Sequence, residues 1–166
     1  CHGGPAGPAP PPGLNGKSST SERGVGAHAS HLRSSTWRAK VTCSACHVVP
    51  KSLGDKGHID TGSPAEVVFS GMARLNGLKP VWDGVRCSGT YCHGASLSFG
   101  QVSAPRWTTV DGTQAGCGAC HGLPPMVKHP RSKACWNCHK AVVGPNGKII
   151  APQLHIDGKV SLSLGP

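Results

Sequence analysis

Apolar positions along this 166-residue chain are sparse and rarely periodic. The clearest pattern is Lys159-Val160-Ser161-Leu162-Ser163-Leu164, whose strict alternation predicts a half-buried strand with its apolar side inward. The β-branched and aromatic run through Val67, Val68 and Phe69 predicts a second strand over 65–69. A short helix competes with it, because Ser63-Pro64-Ala65-Glu66 has the form of a capping box with proline at the first helical position, leading through Met72 and Arg74. Residues 4–27 (GPAGPAPPPGLNGKSSTSERGVGA) are rich in Pro, Gly and Ser and read as an extended loop without helix or strand. No run approaches the roughly 18–20 apolar residues of a membrane helix, and no charged-then-apolar targeting segment opens the chain. An exported protein would therefore be met here in its mature form.

Composition explains the sparseness. Only 37% of the residues are hydrophobic and 4% aromatic, against 24 glycines and 15 prolines. Such a chain buries too little apolar surface to offset its ordering entropy unaided. Nine cysteines and ten histidines are the surplus, so the interior is expected to form around metals, cofactors or disulfides.

Spacing separates these options. Three segments read C-x-x-C-H: Cys43 to His47, Cys117 to His121 and Cys135 to His139. A fourth, Cys87-Ser88-Gly89-Thr90-Tyr91-Cys92-His93, has four residues between its cysteines. Two thiols one turn apart can reach both vinyl groups of a haem as thioethers, and the next residue places an imidazole under the iron. The longer spacer needs a looped-out backbone, which Gly89 permits. A zinc knuckle does not require the trailing histidine, and a disulfide gives it no role. Four repetitions therefore predict haem attachment through Cys43, Cys46, Cys87, Cys92, Cys117, Cys120, Cys135 and Cys138, with His47, His93, His121 and His139 as proximal ligands.

The remaining histidines supply the other face of each iron. His28, His31, His58, His129 and His155 are five candidate distal ligands, whereas Met72 and Met126 are the only methionines. Bis-histidine ligation is the expectation.

An internal duplication bears on the count. Cys120-His121-Gly122, Pro124-Pro125, His129, the motif ending at His139 and His155-Ile156-Asp157 recur in order as Cys1-His2-Gly3, Pro10-Pro11-Pro12, His28 or His31, the motif ending at His47 and His58-Ile59-Asp60. On this alignment Cys1 and His2 are the second half of a fifth motif, which makes five haems rather than four and balances ten histidines into five pairs. The competing reading of Cys1 is an acylated, membrane-anchored first cysteine. Each copy supplies two proximal and two distal ligands, leaving one of His28 and His31 for the haem on His93. The organisation expected is one domain over 1–166, with quasi-duplicated parts 1–60 and 117–157 and an insert 61–116 carrying the C-x4-C-H motif. The fold class expected is a mostly irregular coil with short helices at the motifs and a few short strands, packed around a row of haems. Residues 4–27 are expected to wrap a haem edge, and Trp37, Trp82, Trp107 and Trp136 to pack on porphyrin, one in each haem neighbourhood.

The net charge of +10 would ordinarily raise nucleic acid as a partner, but the cations are scattered and five haems would bring roughly ten propionate charges to cancel them. No nucleic-acid partner is expected.

GVGAHASHL, CSACHVVP, GHIDTGSPAEVVF, CSGTYCHG, CGACHGLPP and LHIDGKV together resemble a family of multihaem cytochromes from metal-reducing bacteria, built on C-x4-C-H motifs each followed by C-x-x-C-H. The resemblance implies an exported protein in extracellular or cell-surface electron transfer, with the periplasm as second location. Its implied partners are other cytochromes or identical subunits, in some members polymerised into filaments, and terminal metal or electrode-like acceptors. Of the functions weighed, an electron conduit leads, because at about 33 residues per haem little protein is available to separate the irons. The alternative is a multihaem reductase with one open iron acting on a small inorganic substrate such as nitrite. It needs an iron without a distal ligand and nearby acid–base groups, and the seven acidic residues form no paired cluster. No enzymatic activity is expected.

Overall fold

The computed structural model describes residues 3–5, 7, 9–125 and 128–163. Regular structure is scarce. Two short α-helices, α1 (His28–Leu32) and α2 (Trp136–His139), are joined by 3-10 turns at Cys43–Ala45, Gly71–Gly77, Tyr91–His93 and Pro152–Leu154. Among the described residues the strands are β1 (Val81–Trp82) and β2 (Cys87–Ser88), paired antiparallel with Val81 opposite Ser88 and Trp82 opposite Cys87. The rest is coil and turn, as the composition requires. No helix among the described residues is long and apolar enough to cross a membrane.

The protein core is correspondingly small. Among the described residues its buried apolar members are Val25, Ala45, Ala73, Ala119, Val142 and Ala151, of which Val25 is essentially inaccessible, at 1% exposure. The larger apolar side chains lie outside this set: Leu14 is 79% exposed, Val160 76% and Ile59 70%. Side-chain packing of this kind cannot hold 166 residues in one arrangement without further bonds.

The two predicted strands are not formed. The chain over 65–69 is extended, but its main-chain partners are carbonyls of the first motif: Val68 N–H donates to Cys46 (2.8 Å) and Ser70 N–H to Ala45 (2.9 Å). Likewise Ser163 N–H donates to Cys138 of the last motif (2.7 Å). The alternation over 159–163 also points the opposite way from the expectation, since Ser161 and Ser163 are partly buried while Val160 and Leu162 face outward. Ser161 turns inward because its carbonyl accepts a hydrogen bond from His139. Leu164 lies outside the described residues. The predicted capping box does not form either: helical geometry begins at Gly71 after Ser70, and the Glu66 carboxylate accepts from the Thr61 hydroxyl instead. The stretch 4–27 is a loop in its described part, tied by turns such as Gly16 N–H to Gly13 and by the Lys17–Glu22 ion pair at 3.1 Å.

Candidate haem-binding sites

In the C-x-x-C-H motifs a single turn does the positioning. His47 N–H bonds to the Cys43 carbonyl (3.0 Å) and His139 N–H to Cys135 (2.9 Å). Such i to i−4 bonds put both cysteines and the histidine on one side of the turn. The segment Cys117–His121 forms turns without a helix, since glycines at 116 and 118 interrupt it. The C-x4-C-H motif reaches the same end differently. Cys87 sits on β2, Gly89 turns the chain in the left-handed region (φ +65°), and Tyr91–His93 then forms the 3-10 turn that carries Cys92 and His93. The looped-out spacer is thus the end of a two-stranded hairpin.

All eight described cysteines are free of disulfides. Burial pushes the Cys46 thiol up to about 11 and the Cys87 thiol up to about 12, and raises Cys92 and Cys120 as well. Burial thus keeps these thiols protonated at neutral pH in the free chain. No three Cys, His, Asp or Glu side chains converge anywhere among the described residues as a structural zinc site needs.

The histidines meet in pairs. His28 faces His47 with ring centres 6.2 Å apart, His31 faces His93 at 6.0 Å, His121 faces His155 at 6.3 Å and His129 faces His139 at 6.1 Å. Each pair joins one motif histidine to one from outside the motifs. Two imidazoles bonded through Nε2 to opposite sides of one metal ion, at roughly 2 Å each, would have ring centres about 6 Å apart. The ring contacts involving tryptophan, by contrast, scatter from 4.8 to 6.3 Å. The planes divide into two classes: near-parallel in His28/His47 (22°) and His129/His139 (15°), steeply crossed in His31/His93 (68°) and His121/His155 (83°). Cys1 and His2 lie outside the described residues, as does Met126. His58 keeps its ring oriented by a 2.9 Å contact from Nδ1 to the Leu53 carbonyl.

The other nitrogens are equally ordered. Nδ1 donates to a main-chain carbonyl in His28 (Val25), His31 (Ala27), His47 (Glu66), His121 (Gly122), His129 (Pro130), His139 (Ser161) and His155 (Trp37). A carbonyl can only accept, so Nδ1 holds the proton and Nε2 keeps its lone pair, the tautomer a metal ligand needs. Burial lowers the pKa of His28, His31 and His155 and pushes His93 down to about 4, which keeps these imidazoles neutral at neutral pH. Neutral paired imidazoles, each with a motif histidine that follows two free thiols in the chain, fit haem c.

Gly26 and Arg38 were not singled out by sequence as parts of these sites, whereas Trp107 was, as a residue packing on porphyrin. Trp107 touches both α1 ligands, edge-on to His28 (4.8 Å) and tilted on His31 (5.6 Å), and its Nε1–H donates to Arg23 (2.8 Å). Gly26, at φ +39°, leaves the space its indole occupies: a Cβ there would come under 3.0 Å from three ring atoms. Arg38 bonds the His31 carbonyl and lies over Trp37. Only the nearness of Gly26 to His28 and of Arg38 to His31 in the chain was a signal. Tryptophans are not distributed one per site, since Trp82 and Trp107 pack together at 6.3 Å while Trp37 crosses to His155 at 6.1 Å.

Residues 86–121 match the family model of the Geobacter CxxxxCH...CXXCH motif, which spans the Cys87–His93 and Cys117–His121 segments. No curated protein and no solved structure matches the chain. The match supports a multihaem c-type cytochrome with such motifs, a class of haem c-binding proteins that work in electron transfer. The chain's low secondary-structure content agrees with it.

Proposed function

We propose that the chain conducts electrons along closely spaced bis-histidine haems and is not an enzyme. The observation that carries this is the set of four histidine ring pairs at 6.0–6.3 Å, each taking one member from a motif. In this reading His47, His93, His121 and His139 are proximal ligands to His28, His31, His155 and His129 in turn. Cys43 with Cys46, Cys87 with Cys92, Cys117 with Cys120 and Cys135 with Cys138 hold the thioethers. The duplication adds Cys1 and His2 as half of a fifth motif, with His58 as the distal histidine left over. Haem, when bound, supplies a one-electron couple. The chain's part is to fix seven of the eight paired imidazoles through Nδ1, so that electron transfer would demand little rearrangement, and the four pairs would supply both ligands of four irons, which would leave no position there for a substrate.

The haem sites are linked by short protein paths. His28 and His31 are three residues apart on α1 and serve different pairs. The His93 and His121 motifs are joined by main-chain bonds, Gln101 N–H to Gly118 (3.2 Å) and Val102 N–H to Ala119 (2.8 Å). The repeated bonds from Val68 to Cys46 and from Ser163 to Cys138 favour a duplicated origin for the two ends. We place the protein outside the cytoplasm, at the cell surface or in the periplasm, passing electrons to other cytochromes or to copies of itself. Electron micrographs of concentrated protein test filament assembly, and dispersed globular particles would remove it.

Electron paramagnetic resonance of the ferric protein tests the conduit. All haems are expected to be low-spin, in two classes: rhombic signals from the near-parallel pairs and strongly anisotropic ones from the crossed pairs. A high-spin signal that responds to nitrite would overturn the reading in favour of a reductase.

A further inference from the structure

Arg38 bonds the main chain of one candidate ligand, His31, and among the described residues no carboxylate forms an ion pair with it. Its guanidinium is caged by main-chain oxygens at the end of α1. Nη1 faces the carbonyls of Ala39 (2.9 Å), Arg33 (3.2 Å) and His31 (3.3 Å), Nη2 donates to Ser30, and Cζ lies 5.5 Å from the centre of the Trp37 ring. One of these acceptors is thus the main chain of a ligand. Among the described residues the one ion pair is Lys17–Glu22, so no carboxylate answers Arg38. An arginine keeps its proton throughout the usable pH range.

The contact is direct at one site. Of the paired histidines, His31 is the one whose main chain Arg38 bonds, at 3.3 Å. The guanidinium approaches His155 only through Trp37, whose ring lies under it and whose carbonyl accepts from His155 Nδ1. A fixed charge held against the main chain of a ligand acts on that ligand's iron over a shorter distance than on the others.

We propose that Arg38 is a resident charge that raises the reduction potential of the His31/His93 haem above that of the other haems, making this site the place where an electron rests. The proposal depends on the ligand pairing given above. The step concerned is the uptake of one electron from a neighbouring haem or another one-electron donor. Ferric iron becomes ferrous, no bond forms or breaks, no proton moves, and the site's charge falls by one. A nearby positive charge disfavours the ferric state and so holds the electron. Because both imidazoles stay bound, Arg38 works as a tuning residue and not as a ligand.

The experiment is an EPR-monitored redox titration of the full haem-loaded chain, with Arg38→Gln and Arg38→Lys alongside. In the unaltered protein, the first low-spin signal lost on reduction should be a strongly anisotropic one; loss of a rhombic signal first would overturn the proposal. In Arg38→Gln, one anisotropic signal should persist to lower potential. A tenfold rise in its ferric-to-ferrous ratio at fixed potential corresponds to 59 mV for a one-electron couple. Arg38→Lys should restore most of the difference. An unmoved signal in Arg38→Gln, as a propionate neutralising the arginine would produce, overturns the proposal, and so does an equal shift of every haem. A high-spin signal in Arg38→Gln and Arg38→Lys alike would assign Arg38 a structural role and overturn it too. Failure of the pairing itself would read differently, as high-spin or wrongly classed signals already in the unaltered protein.

Discussion

Replacing Gly26 with alanine tests whether the approach of Trp107 to α1 holds the ligands His28 and His31. The new methyl group meets two obstacles. The residue sits at φ +39°, where an L-residue costs roughly 1–2 kcal/mol. Its Cβ would also come under 3.0 Å from Nε1, Cδ1 and Cε2 of the indole, an overpacking worth about 1–3 kcal/mol. The sum is a loss of about 2–5 kcal/mol. The indole cannot retreat freely, because Nε1–H is bonded to the Arg23 carbonyl at 2.8 Å. Denaturant unfolding followed by Soret circular dichroism measures the loss, and ferric EPR locates it: one rhombic and one anisotropic signal should broaden or shift while the others stay. Trp107→Ala provides the control. In the double variant the overpacking vanishes and only the backbone cost remains, so the two substitutions should be non-additive by about 1–3 kcal/mol. Strict additivity, or Gly26→Ala with unchanged stability and spectrum, would refute the argument.

His31→Gly should convert one haem to high-spin and broaden or shift the rhombic signal of the His28/His47 pair on the same helix, while the signals of the other two described pairs stay intact, as ferric EPR would show. Thr90→Val removes a buried hydroxyl that has no hydrogen-bond partner and should stabilise the protein by about 1 kcal/mol, measured as a higher thermal midpoint. Acid should destabilise the fold in a defined window. His93 titrates near 4 in the fold but near 6.5 when unfolded, so between those values the unfolded chain binds a proton that the folded one refuses. The stability present above pH 6.5 therefore declines as pH falls towards 4, by roughly 3 kcal/mol from His93. Iron ligation acts in the same direction, since it too requires neutral imidazole. Denaturant midpoints at stepped pH would record this, and a flat profile would contradict it.

The four motifs were legible because their internal geometry is local: Cys43, Cys46 and His47 share one turn. That histidines outside the motifs would face the motif histidines was legible for His28, His31, His129 and His155 as a set but not as pairs. His155 meets His121, and its Nδ1 is held by Trp37 from the other end of the chain, a contact no local pattern encodes. The strand at 159–164 was misread for a related reason. Alternation reports an extended segment with two different faces, and sequence assigned the apolar face to the interior. Here the main chain of the serines docks on the last motif, so the valine and leucine point away from the protein core. Hydrophobic pattern is a weak guide where the interior is organised by bonds to cysteine and histidine segments. Arg38 lay hidden because its partners are main-chain oxygens, which have no sequence signature.

Helix α1 has five residues, no side-chain cap and no buried side chain of its own. A segment that short does not persist as a helix in water. Its order must come from what its two histidines and Trp107 grip. On the proposed ligation, maturation would be cooperative at this point: fixing His28 on one iron would present His31 to the next. Insertion of haem at either motif prepares the other, and damage to either releases both. A five-residue helix thereby makes two cofactor sites a single unit of assembly.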